Sequence, residues 1–179
     1  MERTIINPIF KDSISFIKTV DETGGAYAEH ELTVMPGGRN PPHIHTSFTE
    51  TFVSVQGLLG LRLKYRQVFL EPGEVYTVEQ NELHNFFNPG KETIMFRVIH
   101  SPGHAGVEKM LRIMYGLGAD GLTNKKGIPF DINIIALLSE MGDSRLPGIN
   151  SILHPLFSRI ASRARSRGLE NELLAKYCR

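Results

Sequence analysis

The chain has 179 residues, of which 41% are hydrophobic, and a formal net charge of +1 at pH 7. That length suits one domain with room for a helical extension, and the small net charge argues against a role of the whole protein in neutralising nucleic acid. The single cysteine, Cys178, excludes an internal disulfide and a cysteine-rich metal site.

The first hundred residues carry the pattern of β-strands. Apolar and polar side chains alternate in three stretches, at residues 27–34, 61–66 and 95–99. This is the period of a strand with one face in solvent. Turn signals with glycine or proline separate the stretches, at 23–25, 36–38, 71–73 and 88–90. Many short strands at such spacing predict a sandwich or a barrel.

The pattern becomes helical after the Ser-Pro-Gly at 101–103. A short helix is predicted over 107–115, followed by a glycine-rich loop over 116–129. Asp131 is placed to cap a helix that runs through Glu140 and ends at Gly142. A longer helix follows, and one more begins after Gly168. The apolar stripe of the longer helix comprises Ile152, Leu153, Leu156, Phe157, Ile160, Ala161 and Ala164.

The C-terminal helices are basic, whereas the strand-rich part is acidic. Residues 1–100 hold nine Lys and Arg against twelve Asp and Glu, and residues 143–179 hold seven against three. A basic amphipathic helix can pack on its own protein with its arginines in water, contact a second subunit, or bind a membrane or nucleic acid. We expect packing on the barrel, and neither a membrane nor a nucleic acid as a partner.

Three histidines and one glutamate have the spacing of a metal site. The pattern G-x5-H-x-H-x4-E-x6-G is met by Gly37, His43, His45, Glu50 and Gly57. Side chains two apart in a strand point the same way, so His43 and His45 face one cavity, and a short turn brings Glu50 back to face them. His84 supplies a third imidazole from a distant strand. Such a set can hold one divalent transition metal per chain, with coordination positions left open.

The pattern resembles the two motifs of the cupin superfamily. The first motif matches at all five positions, and the second, G-x5-P-x-G-x2-H-x3-N, matches at Gly73, His84 and Asn88. Glu79 stands where the family usually has proline. Asn81 stands where it usually has glycine, so we expect Asn81 to adopt a left-handed conformation.

The resemblance spans roughly residues 14–102 and implies a mainly β fold. That fold is a double-stranded β-helix, or jelly-roll cupin barrel, over residues 1–102. The helical C-terminal extension, residues 103–179, is expected to pack on the barrel or on a dimer partner.

A looser resemblance, over residues 14–88, is to the quercetin-dioxygenase-like group of cupins. It implies an oxygenase acting on a small aromatic or diketone-like substrate. Iron or manganese is the metal that the resemblance favours, although nickel, cobalt and zinc suit the same nitrogens. An isomerase or decarboxylase using the same metal, or a non-catalytic metal-dependent small-molecule-binding protein, are the alternatives. No catalytic residue is identified, except that Glu50 is a candidate acid or base as well as a ligand.

The alternation of side chains also predicts the wall of the cavity. If Glu50 and His84 point inward, so do the residues at even spacing from them, and His30 shares a face with apolar neighbours. The predicted pocket residues are His30, Phe52, Ser54, Gln56, Phe86 and Asn88. The two phenylalanines favour a partly aromatic or aliphatic ligand, although each also suits a plain core position.

The resemblance further implies a homodimer, since small jelly-roll cupins commonly pair through sheet edges. Ile14, Phe16 and Ile17, in an early strand, are the candidate edge contacts. The first residues lack the basic and apolar regions of a signal peptide, and no apolar run approaches the roughly 20 residues that span a bilayer. We therefore expect a cytoplasmic protein whose partner is a small-molecule ligand or substrate.

Overall fold

A computed structural model describes residues 2–145 and 154–178. The described residues form nine strands: β1 (Thr4–Asn7), β2 (Asp12–Lys18), β3 (Ala28–Val34), β4 (Thr49–Gln56), β5 (Leu59–Leu63), β6 (Gln67–Leu70), β7 (Val75–Val78), β8 (His84–Phe87) and β9 (Ile94–Ser101). Helices follow the strands: α1 (Ala105–Ala119), α2 (Ile132–Met141), α3 (His154–Ser166) and α4 (Leu169–Tyr177). The change from strand to helix falls between Ser101 and Ala105.

The strands form two antiparallel sheets that face each other. The larger sheet has the order β1-β2-β3-β9-β4-β7, and the smaller has the order β6-β5-β8. Strands distant in the chain are therefore neighbours, as in a jelly roll. The predicted mainly β jelly-roll barrel with C-terminal helices is confirmed.

The alternation read from the sequence sets the inner face of the large sheet. In β3 every second residue is buried, and in β9 the buried set starts at Ile94 and ends at His100. The core between the sheets includes Phe16, Phe52 and Phe96. Each strand thus places one face in the barrel, where apolar side chains and the candidate ligands share the interior.

Asn81 has a φ of 66°, which confirms the predicted left-handed conformation. Its backbone N–H donates to the carbonyl of His45 at 2.7 Å. The turn at Asn81 therefore ties the His84 strand to the segment that carries His45.

The helices form a second core beside the barrel. Helix α1 packs against β1, α2 packs against α1 and α3, and α4 packs against α1 and α3. Asp131 caps α2 as predicted, since its side chain accepts a hydrogen bond from the backbone N–H of Asn133 at 2.8 Å. Gly142 follows the last residue of that helix, also as predicted.

Helix α1 is longer than predicted, because glycines expected to start a loop at 116 lie inside it. A side chain on Gly116 would meet the ring of Tyr177 at 2.1 Å, and one on Gly118 would meet the amide of Asn7 at 3.1 Å. These glycines allow close helix packing, a tertiary use that outweighs their poor helix propensity.

Two expectations about packing are wrong. The apolar stripe of α3, including Ala161 and Ala164, packs on α2 and not on the barrel; Ile152 and Leu153 lie outside the described residues. Strand β2 is not an edge, because β1 pairs with it on one side and β3 on the other. Ile14 and Phe16 are accordingly buried, and only Ile17 of the three candidate contacts is exposed.

Homodimerisation itself stays a prediction, with β1 and β7 as the outer strands of the large sheet. None of the described helices combines the length and the apolarity needed to cross a bilayer.

Candidate metal centre

His43 and His45 lie in an extended segment that joins the barrel through single bridges. His43 exchanges two backbone hydrogen bonds with His84, and Ile44 does so with Arg145. The two imidazoles point to the same side of this segment, with ring centroids 4.6 Å apart. The predicted same-face orientation is therefore present without a regular strand.

The four predicted ligands converge. Glu50 enters from β4 and His84 from β8. One potential ligand atom from each of His43, His45, Glu50 and His84 lies within 4.8 Å of the others. The backbone pairing of His43 with His84 explains this convergence, because it brings the segment of the first motif next to the strand of the second motif.

Each of the three imidazoles is held by a backbone carbonyl. The Nδ1 atoms of His43, His45 and His84 lie 2.8, 3.0 and 2.9 Å from the carbonyl oxygens of Pro41, Asp143 and Glu82 respectively. An Nδ1–H that donates to a carbonyl leaves Nε2 as the coordinating atom, the arrangement that orients metal-binding histidines. The residues therefore fit a divalent transition metal in their chemistry and in their tautomers.

Burial and charge set the protonation of these groups. Burial, with smaller contributions from neighbouring imidazoles, lowers the pKa of His43 well below its usual value and that of His45 to about 4. For His84, burial lowers the pKa, but the hydrogen bond and charge of Glu50 outweigh burial and raise it. The Nε2 of His84 lies 2.6 Å from Glu50 Oε2, so a metal would take the place of a proton there.

His100 is a residue at this centre that the sequence prediction missed. It is buried, and its Nε2 donates to Glu50 Oε1 at 3.0 Å, which leaves Oε2 facing the histidines. Burial raises the pKa of Glu50, but the hydrogen bonds of His100 and His84 outweigh that effect and hold it well below the usual value. The alternation of β9, extended two residues beyond Val98, would have placed His100 on the inner face.

Asp143 braces the segment that carries His45. Its carboxylate accepts hydrogen bonds from the backbone and hydroxyl of Thr46, at 2.7 and 2.8 Å, and from those of Ser47, at 2.8 and 2.7 Å. Its backbone carbonyl holds His45. Burial raises the pKa of Asp143, but these four hydrogen-bond donors outweigh burial and hold the pKa below its usual value. The turn after α2 therefore supports the candidate metal centre.

A cavity of about 190 Å³ opens beside the ligands. His43, His45 and Glu50 line it, together with residues of α1, α2 and the loop before α2. The apolar part of its wall comprises Phe10, Ile14, Leu32, Phe86, Val98, Val107, Met110, Leu111, Met114, Ile128, Pro129, Ile135 and Leu138. Helices α1 and α2 thus form part of the wall of this cavity, a position that sequence periodicity did not reveal.

The predicted pocket residues divide into three groups. His30 and Phe86 line the cavity. Phe52 and Ser54 are buried beneath it: Phe52 packs edge-on against His84 with ring centroids 6.2 Å apart, and the Ser54 hydroxyl donates to the carbonyl of Gly57. Asn88 is also buried, and it ties the turn after β8 together by donating to the carbonyls of Val34 and Glu92.

Gln56 alone forms the third group of predicted pocket residues, because it points outward. The inward orientation predicted for it is wrong. The side chain is exposed, because the register of β4 against β9 shifts between Ser54 and Gln56. A bulge changes the side to which later residues point, and alternation alone cannot anticipate it.

The cavity also contains polar residues that the sequence prediction did not single out. Asp12 of β2 and Tyr115 of α1 line it, as do Asn40 and the serines at 139 and 144. Burial raises the pKa of Asp12 to about 7. The Tyr115 hydroxyl counteracts part of that rise without reaching hydrogen-bond geometry.

Comparison with known proteins agrees with this architecture. Residues 30–100 match the family model of the cupin domain. The germin-like protein 3-4 of Oryza sativa subsp. japonica is 27% identical over 89 residues, which are 45% of this chain and 39% of that protein. The chain thus spans well under half of the length of this curated relative.

Two solved structures resemble part of this chain at low sequence identity. The polyketide cyclase RemF from Streptomyces resistomycificus superposes with a TM-score of 0.46 and 24% identity, over 51% of this chain and 65% of that one. A sugar phosphate isomerase of the cupin superfamily from Silicibacter pomeroyi superposes with a TM-score of 0.48 and 18% identity, over 54% and 62%. Their activities differ from each other.

Proposed function

Because the chain carries a cupin domain at residues 30–100, we propose that it is a mononuclear metal-dependent enzyme acting on a small, mainly apolar organic substrate, and specifically an oxygenase. The residues that would hold its metal are His43, His45, Glu50 and His84, whose potential ligand atoms lie close together. Iron or manganese is the metal proposed for this oxygenase.

One observation carries the proposal: the ligand cluster forms part of the wall of an apolar cavity. Three of the four ligands line the cavity directly. A structural metal site is normally closed by protein ligands on all sides, whereas a catalytic site leaves a position open to a substrate. An apolar cavity with a few convergent polar groups is the usual form of a small-molecule site.

The protein's own residues supply binding, orientation and exclusion of water. His43 and His45 are neutral at physiological pH and can present free nitrogen lone pairs. His100 orients Glu50, and the apolar wall contributed by α1 excludes bulk water from the substrate. When bound, the metal supplies a Lewis acid and open coordination positions.

Oxygen consumption by the iron-reconstituted protein tests the proposal. A panel of phenols, flavonoids and diketones is offered to the wild type and to His84→Ala, with products followed by mass spectrometry. We expect turnover by the wild type and its loss, together with loss of iron, in the variant. Arg97→Ala, on the outer face of β9, is a matched control that should leave both unchanged.

The alternatives have distinct outcomes in the same assay. Substrate loss without oxygen consumption, retained under anaerobic conditions, would indicate an isomerase or a decarboxylase. Stoichiometric binding without any product would indicate a metal-dependent binding protein. Equal metal content in the wild type and His84→Ala would contradict the metal assignment itself.

A further inference from the structure

The cavity has a second polar part, formed outside the ligand cluster. Asp12 is only 5% exposed, and within residues 2–145 and 154–178 neither of its carboxylate oxygens has a hydrogen-bond partner. His30 is 1% exposed, and neither of its ring nitrogens has a partner in the same part of the chain. Both residues line the cavity that the metal ligands line.

Unpartnered polar atoms in a protein interior need an explanation. Nearly all buried polar groups form hydrogen bonds, because a buried donor or acceptor without a partner loses its solvation with no return. A carboxylate is the most costly of these groups to leave alone. Buried polar groups that lack hydrogen bonds in this way occur mainly at functional sites.

The other residues of the cavity limit which kind of ligand could supply the missing hydrogen bonds. Asp12 and Glu50 are acidic, and no Lys or Arg lines the cavity among the described residues. An anionic group near Asp12 would be repelled. The surrounding wall, including Ile14, Leu32 and Met114, is apolar. A cavity of about 150 Å³ in another protein holds benzene, so the volume of about 190 Å³ suits a single substituted ring.

We propose that Asp12 is a specificity-determining residue that accepts a hydrogen bond from a hydroxyl group of an uncharged, mainly apolar, single-ring ligand. The inference rests on the proposed function in one respect, namely that the substrate occupies this cavity. Tyr115 lies beside Asp12 and completes the polar patch, while the apolar wall holds the ring. The carboxylate oxygens have almost no accessible surface, so the Asp12 side chain must turn toward the cavity before it accepts from the hydroxyl.

Binding of matched ligands tests the assignment. The zinc-loaded protein is titrated by calorimetry with p-cresol and with p-xylene, which differ by one hydroxyl, and with 4-methylbenzoate, which is anionic. We expect the wild type at pH 8 to prefer p-cresol to p-xylene by about 10-fold or more, the equivalent of one charge-assisted hydrogen bond. Binding of 4-methylbenzoate should become tighter when Asp12 is replaced by leucine, because its carboxylate can coordinate the zinc but is repelled by an ionised Asp12.

Substitution of Asp12 separates its role from direct binding of the phenol to the metal. In Asp12→Leu the preference for p-cresol should disappear or reverse, while Asp21→Asn, a surface control, keeps it. A preference that survives in Asp12→Leu would come from the metal and would overturn the proposal. Because burial of an ionised Asp12 is costly and its oxygens form no hydrogen bond of normal geometry, the variant should melt at or above the wild-type temperature at pH 8.

Asp12→Asn keeps the shape of the side chain and serves if the leucine variant fails to fold. Its neutral amide oxygen accepts more weakly than a carboxylate, so the preference for p-cresol should fall, and a preference equal to that of the wild type would overturn the inference. Melting temperatures well below the wild type for both variants would assign Asp12 to packing and overturn the inference. The binding preference can be measured whether or not the protein turns over a substrate. A lost preference without oxygen consumption supports the Asp12 site and refutes the oxygenase, whereas oxygen consumption with an unchanged preference does the reverse.

Discussion

Substitution of Asp143 by glycine should weaken metal binding although Asp143 is not itself a proposed ligand. The carboxylate holds the segment after His45 through four hydrogen bonds, two to Thr46 and two to Ser47. Glycine removes only the side chain, since Asp143 has a φ of 44° and glycine adopts that conformation without strain. The backbone carbonyl that holds His45 is retained.

The expected magnitude follows from these contacts. Ser47 is exposed, so water can replace its two bonds at little cost, whereas Thr46 is partly buried. Two charge-assisted hydrogen bonds at about 1.5 kcal/mol each give a loss of about 3 kcal/mol in the free energy of unfolding. Loss of a group that orients a ligand typically lowers metal affinity by about 10- to 100-fold.

Competition with a chromophoric chelator measures that affinity, and chemical denaturation measures the stability. Asp131→Gly is the matched control, because it removes a carboxylate that caps α2 and should cost only a few tenths of a kcal/mol of stability without touching a candidate ligand. Asp143→Gly should therefore lose both stability and affinity, and Asp131→Gly only stability. Unchanged affinity in Asp143→Gly would refute the reasoning that the turn after α2 supports the metal centre.

Three further outcomes are expected. Asn81→Gly should be neutral or mildly stabilising in a thermal melt, whereas Asn81→Val should cost about 1 kcal/mol or more, because its φ of 66° is strained for a β-branched residue; a valine variant as stable as the glycine variant would contradict this. The pKa of Asp12, raised by burial to about 7, means that the folded state holds its proton more tightly than the unfolded chain. The protonated Asp12 therefore contributes stability below about pH 4, and this contribution, on the order of 4 kcal/mol, is lost as the pH rises to 7. Asp12→Asn should accordingly gain stability relative to the wild type between pH 5 and 7.5. A difference in stability that does not change with pH would argue against a raised pKa of Asp12. Truncation at position 148 should lower the melting temperature and leave metal binding intact, because α3 and α4 cover α2; a truncated protein of full stability that loses binding to anionic liposomes or DNA would make the tail a binding arm.

Local patterns in the sequence predicted the candidate ligand set and a sandwich or a barrel, and the resemblance to the cupin superfamily narrowed the fold to a jelly roll. Alternation at a period of two identifies the inner face of a strand, and the spacing of His43, His45 and Glu50 is short enough to survive the irregular backbone that carries them. The left-handed conformation of Asn81 followed from the resemblance, because asparagine stands where that superfamily usually has glycine. These features need only the geometry of neighbouring residues.

Only the tertiary structure decided what surrounds the ligands. The hydrogen bond between His100 and Glu50 depends on the register of β9 against β4, and the same register shifts to turn Gln56 outward. Asp143 reaches Thr46 across 97 residues, and Asp12 lines one cavity with residues of α1. No periodicity carries such contacts, because they arise from how separate elements pack, and that packing is fixed by the sum of many weak interactions along the chain.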